Sequence, residues 1–128
     1  MEITANELQT VLVGANVQFT DTVVPGKACT MHRAGSGLVS LKGLTDQCRA
    51  RFKVSFGGNI AIPEGGTVEA ISLALAIDGE PIASTTMIVT PAAVEEFFNV
   101  FGAIYIDIPR GCYSQVSVRN VSTQPIDV

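Results

Sequence analysis

Apolar and polar residues alternate along much of this chain, which is the pattern of strands that bury one face. In "RARFKVSF" (49–56), the even-numbered positions are apolar and the odd-numbered ones are polar or basic. This predicts a half-buried antiparallel strand whose solvated face is basic. The same alternation predicts strands in "NVQFT" (16–20), "LVSLK" (38–42), "AIYIDI" (103–108) and "CYSQVSVRNV" (112–121).

Turn-forming residues separate these runs, as "GSG" (35–37), "GGN" (57–59), "PEGG" (63–66), "DG" (78–79) and "PRG" (109–111). Glycine supplies the positive φ angles that tight turns need, and proline presets the φ of an entry residue. "DG", between "SLALAI" and "EPIASTTMIV", is a hairpin signal. The pattern predicts one all-β domain over residues 1–128, an antiparallel sandwich or barrel with at most one or two short helices.

Two stretches carry helical signals. In "TPAAVEEFF" (90–98), Thr90 is a candidate N-cap, and Pro91 would take the first helical position. "TANE" (4–7) matches a capping box, but the run that follows is too short and too β-branched for a helix. Residues 1–9 are therefore expected to form an N-terminal arm or a first strand.

The least polar stretch, "GNIAIPEGGTVEAISLALAIDGEP" (58–81), contains a strand with two apolar faces. Alternation places its large side chains on one face and its small ones on the other. The large ones are Ile71, Leu73, Leu75 and Ile77, and the small ones are Ser72, Ala74 and Ala76. We expect this strand to be central in the sandwich or to lie at a subunit contact, with the small face packed against another sheet or subunit.

Charge is scarce: 16% of the residues are charged and 47% are hydrophobic, where a typical soluble domain has about 25% charged residues. A subunit with so little charge is expected to cover part of its surface with copies of itself. The net charge of −4 and the spread of the basic residues argue against a nucleic-acid partner. No apolar run reaches the ~18 residues of a membrane span, and "MEITANELQT" has no signal-peptide features, so neither a membrane nor secretion is expected.

The cysteines, Cys29, Cys48 and Cys112, are odd in number and widely spaced. This favours free thiols in a reducing cytosol, with one disulfide and one remaining thiol as the alternative. Together with His32 they supply zinc-type ligands, but they lack the tight paired spacing of zinc sites. No metal and no cofactor are expected.

Catalytic chemistry finds little support in the residues. His32 is the one histidine, so any Ser-His-Asp or Cys-His arrangement would depend on it. Carboxylates at 78 and 80 and at 95–96 are better explained by turn chemistry and a solvated surface than by acid–base catalysis or calcium binding. No phosphate-loop motif occurs. The sequence predicts a protein that is not an enzyme.

Aromatic residues gather late in the chain, at Phe97, Phe98, Phe101, Tyr105 and Tyr113. Core packing and a subunit interface are the favoured roles for such residues. A platform that stacks sugar rings is the alternative.

Five segments give the chain a resemblance to a known family: "HRAGSGLVSLKG", "GNIAIPEGG", "ISLALAIDGEP", "TPAAVEEFFNV" and "IPRGC". From about residue 10 to residue 125 it resembles small structural proteins of the phages and prophages of Gram-positive gut bacteria, which look like jelly rolls of the tumour-necrosis-factor/C1q type. The resemblance implies a trimeric head-decoration or head-fibre component of a virion, assembled in the host cytoplasm. Its partners would be its own copies and the major capsid protein or another virion component. None of these motifs is a catalytic signature.

Members of that family continue past the position of Val128 into one more apolar strand. The closing strand is here expected to be absent, to come from a neighbouring copy, or to be built from another segment such as the N-terminus.

Two other classes of function stand beside the virion structural role. A receptor- or glycan-binding module at a fibre tip would need an exposed aromatic cluster, for which Tyr105 and Tyr113 are candidates. A cupin-type enzyme needs several histidines and a carboxylate as metal ligands, and this chain has one histidine.

Overall fold

Antiparallel strands are the main regular structure in the computed structural model, which describes residues 1–5, 7–25, 30–43, 49–109 and 111–128. Within these ranges the helical structure is limited to one 3-10 turn. In chain order the elements are β1 (Glu2–Thr4), β2 (Thr10–Val11), β3 (Asp21–Val24), β4 (Thr30–His32), β5 (Val39–Lys42), β6 (Arg49–Ile60), β7 (Ile71–Ile77), β8 (Glu80–Pro81), the 3-10 turn (Ala83–Thr85), β9 (Met87–Val89), β10 (Phe98–Pro109), β11 (Tyr113–Asn120) and β12 (Ile126–Asp127). The predicted all-β fold with antiparallel sheets is confirmed.

Six of these strands form one sheet, in the order β4-β5-β11-β7-β8, with β9 also paired to β7. β11 is central: it pairs with β5 from Tyr113 to Val116 and with β7 from Val116 to Asn120. The other edge of β7 is shared by β8 at one end and β9 at the other. β7 therefore lies in the interior of the sheet.

The strands β6 and β10 form a separate two-stranded ribbon, paired from Phe98↔Ile60 to Pro109↔Arg49. In the described part of the chain, no third strand joins either of them. We call this pair the ribbon. Over residues 50–60 and 99–109 its odd-numbered side chains point outward and its even-numbered ones inward, as the alternation in the sequence predicts.

The core lies between the inner faces of the six-stranded sheet and the ribbon. One cluster joins Ile71, Leu73, Leu75 and Val118 of the sheet to Phe56, Ile60 and Val100 of the ribbon. A second cluster joins Leu41 and Val116 of the sheet to Ile106 and Ile108 of the ribbon. These two packed layers are the arrangement of a β-sandwich.

Two small sheets complete the fold. β1 pairs with β3, so the first residues form a strand rather than a free arm. β12 pairs with β2, with Ile126 opposite Val11 and Asp127 opposite Thr10. The last strand thus finds its partner in the N-terminal segment.

The hairpin predicted at "DG" forms between β7 and β8. Asp78 and Gly79 have φ angles of 52° and 85°, the left-handed pair that a tight two-residue turn requires. The Asp78 carboxylate accepts a hydrogen bond from the Gln115 backbone N–H at 2.9 Å, which ties the turn to β11.

The candidate helix at residues 90–98 does not form. Pro91 is buried, and the Glu95 backbone N–H donates to the Ile62 carbonyl at 2.7 Å. These contacts hold the segment in a bend in which Glu95 has a φ of 59°, outside the right-handed helical region. The predicted strand at 16–20 is reduced to a bridge between Asn16 and Arg119, although Val17 and Phe19 are buried.

Candidate functional site

The outer face of the ribbon exposes aromatic side chains in a setting of small ones. On β10, Phe101 and Tyr105 are 66% and 65% exposed, with Ala103 between them. Their register partners on β6 are Gly57, Ser55 and Lys53. We call these six residues the ribbon face: Lys53, Ser55, Gly57, Phe101, Ala103 and Tyr105. Large apolar rings that remain this exposed on a sheet are typical of a contact surface.

Both rings of the ribbon face are positioned by β6. A Cβ at Gly57 would lie 3.5 Å from Cδ2 of Phe101, which is an ordinary van der Waals distance, so the Phe101 ring lies directly beside this position of β6. The Lys53 Nζ lies 5.9 Å from the centroid of the Tyr105 ring, within the range of a cation–π contact. The rings therefore form part of a continuous surface across the ribbon.

The two ends of the ribbon differ in charge. At one end the Arg51 guanidinium donates to both carboxylate oxygens of Asp107, with Nε···Oδ1 at 2.8 Å and Nη2···Oδ2 at 3.2 Å. The hydrogen bond to Asp107, and then its charge, raise the pKa of Arg51 above its usual value. At the other end, exposed Glu95 and Glu96 lie in the loop that leads into β10. No lysine or arginine occurs from residue 54 to residue 109.

The structure places three of the five predicted aromatics, Phe98, Phe101 and Tyr105, on β10. Phe98 is the first residue of β10, and Phe97 lies directly before the strand. Tyr113 lies at the start of β11 in the other sheet, opposite Lys42, and is 68% exposed. Phe101 and Tyr105 are four residues apart, and side chains separated by an even number of positions lie on the same face of a strand, so the sequence could place these two rings together.

The small face of β7 is covered by the chain itself. Ala74 and Ala76 are 1% and 0% exposed in the single subunit. Arg119 lies directly opposite Ala74, and its guanidinium donates to the Gly79 carbonyl at the end of β7. Its stem therefore runs along the alanine side of the strand. Ser72, nearer the other end, is half-buried and its backbone N–H donates to Ser122 Oγ at 2.7 Å.

An apolar cleft of about 1010 Å³ opens between the two layers, beside β6. Its lining includes Phe52 and Val54 of β6, Val39 and Leu41 of β5, and Ile3 and Leu8 of the N-terminal segment. The cleft exists because a two-stranded ribbon covers only part of a six-stranded sheet. The number of strands in each layer depends on pairing between segments that are far apart in the sequence. The alternation of residues along the chain therefore could not predict the cleft.

His32 has a structural environment. Its Nε2 lies 2.9 Å from the Ser36 carbonyl oxygen, which can only accept, so Nε2 carries the proton. Its Nδ1 then accepts from the Thr22 hydroxyl at 2.7 Å. The ring meets Phe19 edge to face, with centroids 6.3 Å apart. The Ser36 hydroxyl accepts from the Leu38 backbone N–H at 3.0 Å, so it does not face His32 as a nucleophile.

Among the residues that the structure describes, no group of three or more His, Cys, Asp or Glu side chains is arranged to hold a metal ion. The predicted ligands Cys29 and Cys48 lie outside those residues, and Cys112 is exposed with a free thiol. No helix in the described ranges is long and apolar enough to cross a membrane.

No family model matches the chain, and no curated protein matches it at a significant level.

Proposed function

We propose that this protein is a non-enzymatic structural component of a phage virion. It acts as a self-associating jelly-roll subunit, a homotrimer, that decorates or stabilises the head. The observation that carries the proposal is the ribbon face, where Phe101 and Tyr105 stay about two-thirds exposed on a strand with few charges. Rigid aromatic side chains of this kind gain most when a protein partner removes them from water.

Exposed aliphatic residues near the N-terminus also support self-assembly. Around the N-terminal segment, large aliphatic side chains are more than half exposed: Leu8, Leu12, Val13 and Val23. Exposed apolar residues gathered in one segment mark interaction sites more often than residues scattered singly. Exposed apolar residues in both the ribbon face and the N-terminal segment fit a subunit that contacts its own copies and another virion protein, such as the major capsid protein.

The non-enzymatic part of the proposal is supported by how the candidate groups are used. Both ring nitrogens of His32 take part in hydrogen bonds that join β4 to neighbouring segments. Asp78 accepts from a backbone amide within a hairpin turn. These are the contacts of groups that stabilise a fold.

The jelly-roll form and the virion location rest on the resemblance of segments 32–43, 58–66, 71–81, 90–100 and 108–112 to phage structural proteins. The two packed antiparallel layers agree with that fold. The scarcity of charge, at 16% of residues, agrees with a subunit that is partly covered in its assembled form.

The decisive experiment is to locate the protein on particles. Phage particles induced from the encoding bacterium are purified and labelled with an antibody against the intact protein, followed by electron microscopy. We expect label over the head surface, and light scattering of the purified protein at three times the 13.4 kDa chain mass. Purified infectious particles that lack the protein would overturn the proposal.

The alternative function, a receptor- or glycan-binding module, is favoured by the same exposed rings, because sugars also stack on aromatic faces. The labelling experiment separates the two. Label confined to fibre tips would support the binding module, whereas label distributed over the head supports decoration.

A further inference from the structure

The ribbon face has an internal symmetry that identifies a partner. Phe101 and Tyr105 lie two residues to either side of Ala103, and Gly57 and Lys53 lie two residues to either side of Ser55. Ala103 and Ser55 are themselves opposite one another. We propose that the ribbon face is a two-fold contact between two copies of this chain, with the axis running across the ribbon through Ala103 and Ser55. This inference rests on the proposed self-association and adds to the trimer a second contact, of two-fold symmetry.

A two-fold axis in this position makes the face complementary to itself. It places Phe101 of one copy against Tyr105 of the other, and the reverse, so that the contact contains two aromatic pairs. Lys53, the longest side chain of the face, comes opposite Gly57, which has none. At the axis Ala103 meets Ala103 and Ser55 meets Ser55. These small side chains allow the sheets to approach to the usual distance of about 10 Å.

Charge disfavours the parallel alternative to this orientation, and it does so through the acidic loop, because Arg51 is already paired with Asp107. Rotation about this axis reverses the strand direction, so the ribbons of the two copies run antiparallel. The Arg51 end of one copy therefore lies over the Asn59–Asn99 end of its partner, next to the loop of Glu95 and Glu96. That loop belongs to the stretch of sequence without lysine or arginine. A parallel orientation would instead bring the two loops of Glu95 and Glu96 together, and the repulsion between their like charges costs affinity.

The size of the face sets the strength of the contact. Twelve residues at about 3.4 Å each, in two strands about 4.8 Å apart, give a face about 40 Å long and about 10 Å wide. This is roughly 400 Å² per copy, about half of the ~800 Å² that each partner buries in a standard interface. We expect a reversible, concentration-dependent pair. If each subunit also belongs to a permanent trimer, this contact would join one trimer to another.

The test uses charges placed on the axis. Ala103→Asp and Ala103→Lys each bring two like charges together, and each should weaken pairing by about a hundredfold or more. An equimolar mixture of the two variants brings opposite charges together and should restore pairing. Association is measured by sedimentation velocity of the full-length protein over a wide concentration range, with circular dichroism to confirm that each variant folds.

A second pair of variants is used if a charged residue at position 103 prevents folding. Phe101→Lys and Tyr105→Glu should each reduce pairing, and their mixture should restore it through the 101–105 contact. The matched control is Tyr113→Lys, which changes an equally exposed tyrosine on the other sheet and should leave the association unchanged.

The outcomes separate this contact from the proposed function. If the parent associates and the Ala103 variants associate equally well, the contact is overturned while self-association stands. If single variants dissociate and mixtures fail to restore pairing, the two-fold axis is wrong. If single variants dissociate, mixtures recover and the protein is absent from particles, the contact is correct and the virion role is not. A parent that stays monomeric at every concentration overturns the contact, and labelling of particles then tests the virion role alone.

Discussion

Thr85 shows how one buried hydroxyl completes the hydrogen bonding of a strand. The 3-10 turn (Ala83–Thr85) interrupts the edge of β7 between β8 and β9. There the Leu75 backbone N–H donates to Thr85 Oγ1 at 3.0 Å, and the same hydroxyl donates to the Ile82 carbonyl at 2.7 Å. Because a buried N–H needs a partner, the threonine side chain replaces a residue of the missing strand.

We expect Thr85→Val, which keeps the shape of the side chain, to lower the free energy of unfolding by about 1–3 kcal/mol. The valine leaves the Leu75 N–H buried and without its acceptor. Urea denaturation of the purified protein measures the change. Thr86→Val is the matched control: the neighbouring threonine is exposed, and its loss should change stability by no more than about 0.5 kcal/mol. Equal effects of the two substitutions would contradict this role of Thr85.

At the scale of elements, β7 is enclosed on both faces. Its large side chains enter the core with Phe56 and Val100, and its alanines lie beneath the stem of Arg119. Small side chains are needed on that face because the arginine reaches across it to Gly79. The strand can therefore accept little added volume on either side.

This packing predicts that Ala74→Leu destabilises the protein by about 1–3 kcal/mol, since a close-packed site has no room for three more carbons. Ala83→Leu makes the same substitution at an exposed position of the 3-10 turn and should have an effect within about ±0.5 kcal/mol. Thermal melts of both variants decide the matter. If Ala74→Leu melts like the parent, the alanine face is less enclosed than described here.

The sequence predicted the strands of this fold better than their partners. Alternation located β5, β6, β10 and β11, because the period of two depends on neighbouring residues. It could not show that β6 pairs with β10, since the pairs join residues 38 or more positions apart and no local signal encodes that choice. The bend at 90–98 was misread as a helix for a related reason: its conformation follows from the distant Ile62 carbonyl.

The candidate site divides in the same way. Parity along β10 placed Phe101 and Tyr105 together, because alternate residues of a strand share a face. Which face would meet solvent, and that Tyr113 would lie on the other sheet, depended on how the layers pack. The cleft and the role of Thr85 depend on contacts between distant segments, and no single stretch of sequence indicated either of them.

At the scale of the whole molecule, the cysteines test the redox environment. Cys112 is exposed and its thiol is free, while Cys29 and Cys48 lie outside the described residues. We expect thiol titration of the denatured, non-reduced protein to find all three thiols, and Cys112 to react in the native protein. A Cys112→Ser variant should lower both counts by one. The loss of two thiols from the denatured count would show a disulfide and contradict assembly in a reducing cytosol.

The long separation between β6 and β10 has a consequence for the nascent chain. β6 ends at Ile60, and β10 is complete only at Pro109, 49 residues later. At synthesis rates of about 5–20 residues per second, β6 waits roughly 2–10 s for its partner. During this time Phe52, Val54 and Phe56 are exposed on a strand that could pair with other chains. The charges of Arg51 and Lys53 and the glycines at 57–58 oppose such pairing. The basic residues of β6 therefore help to prevent aggregation of the nascent chain before the ribbon has folded.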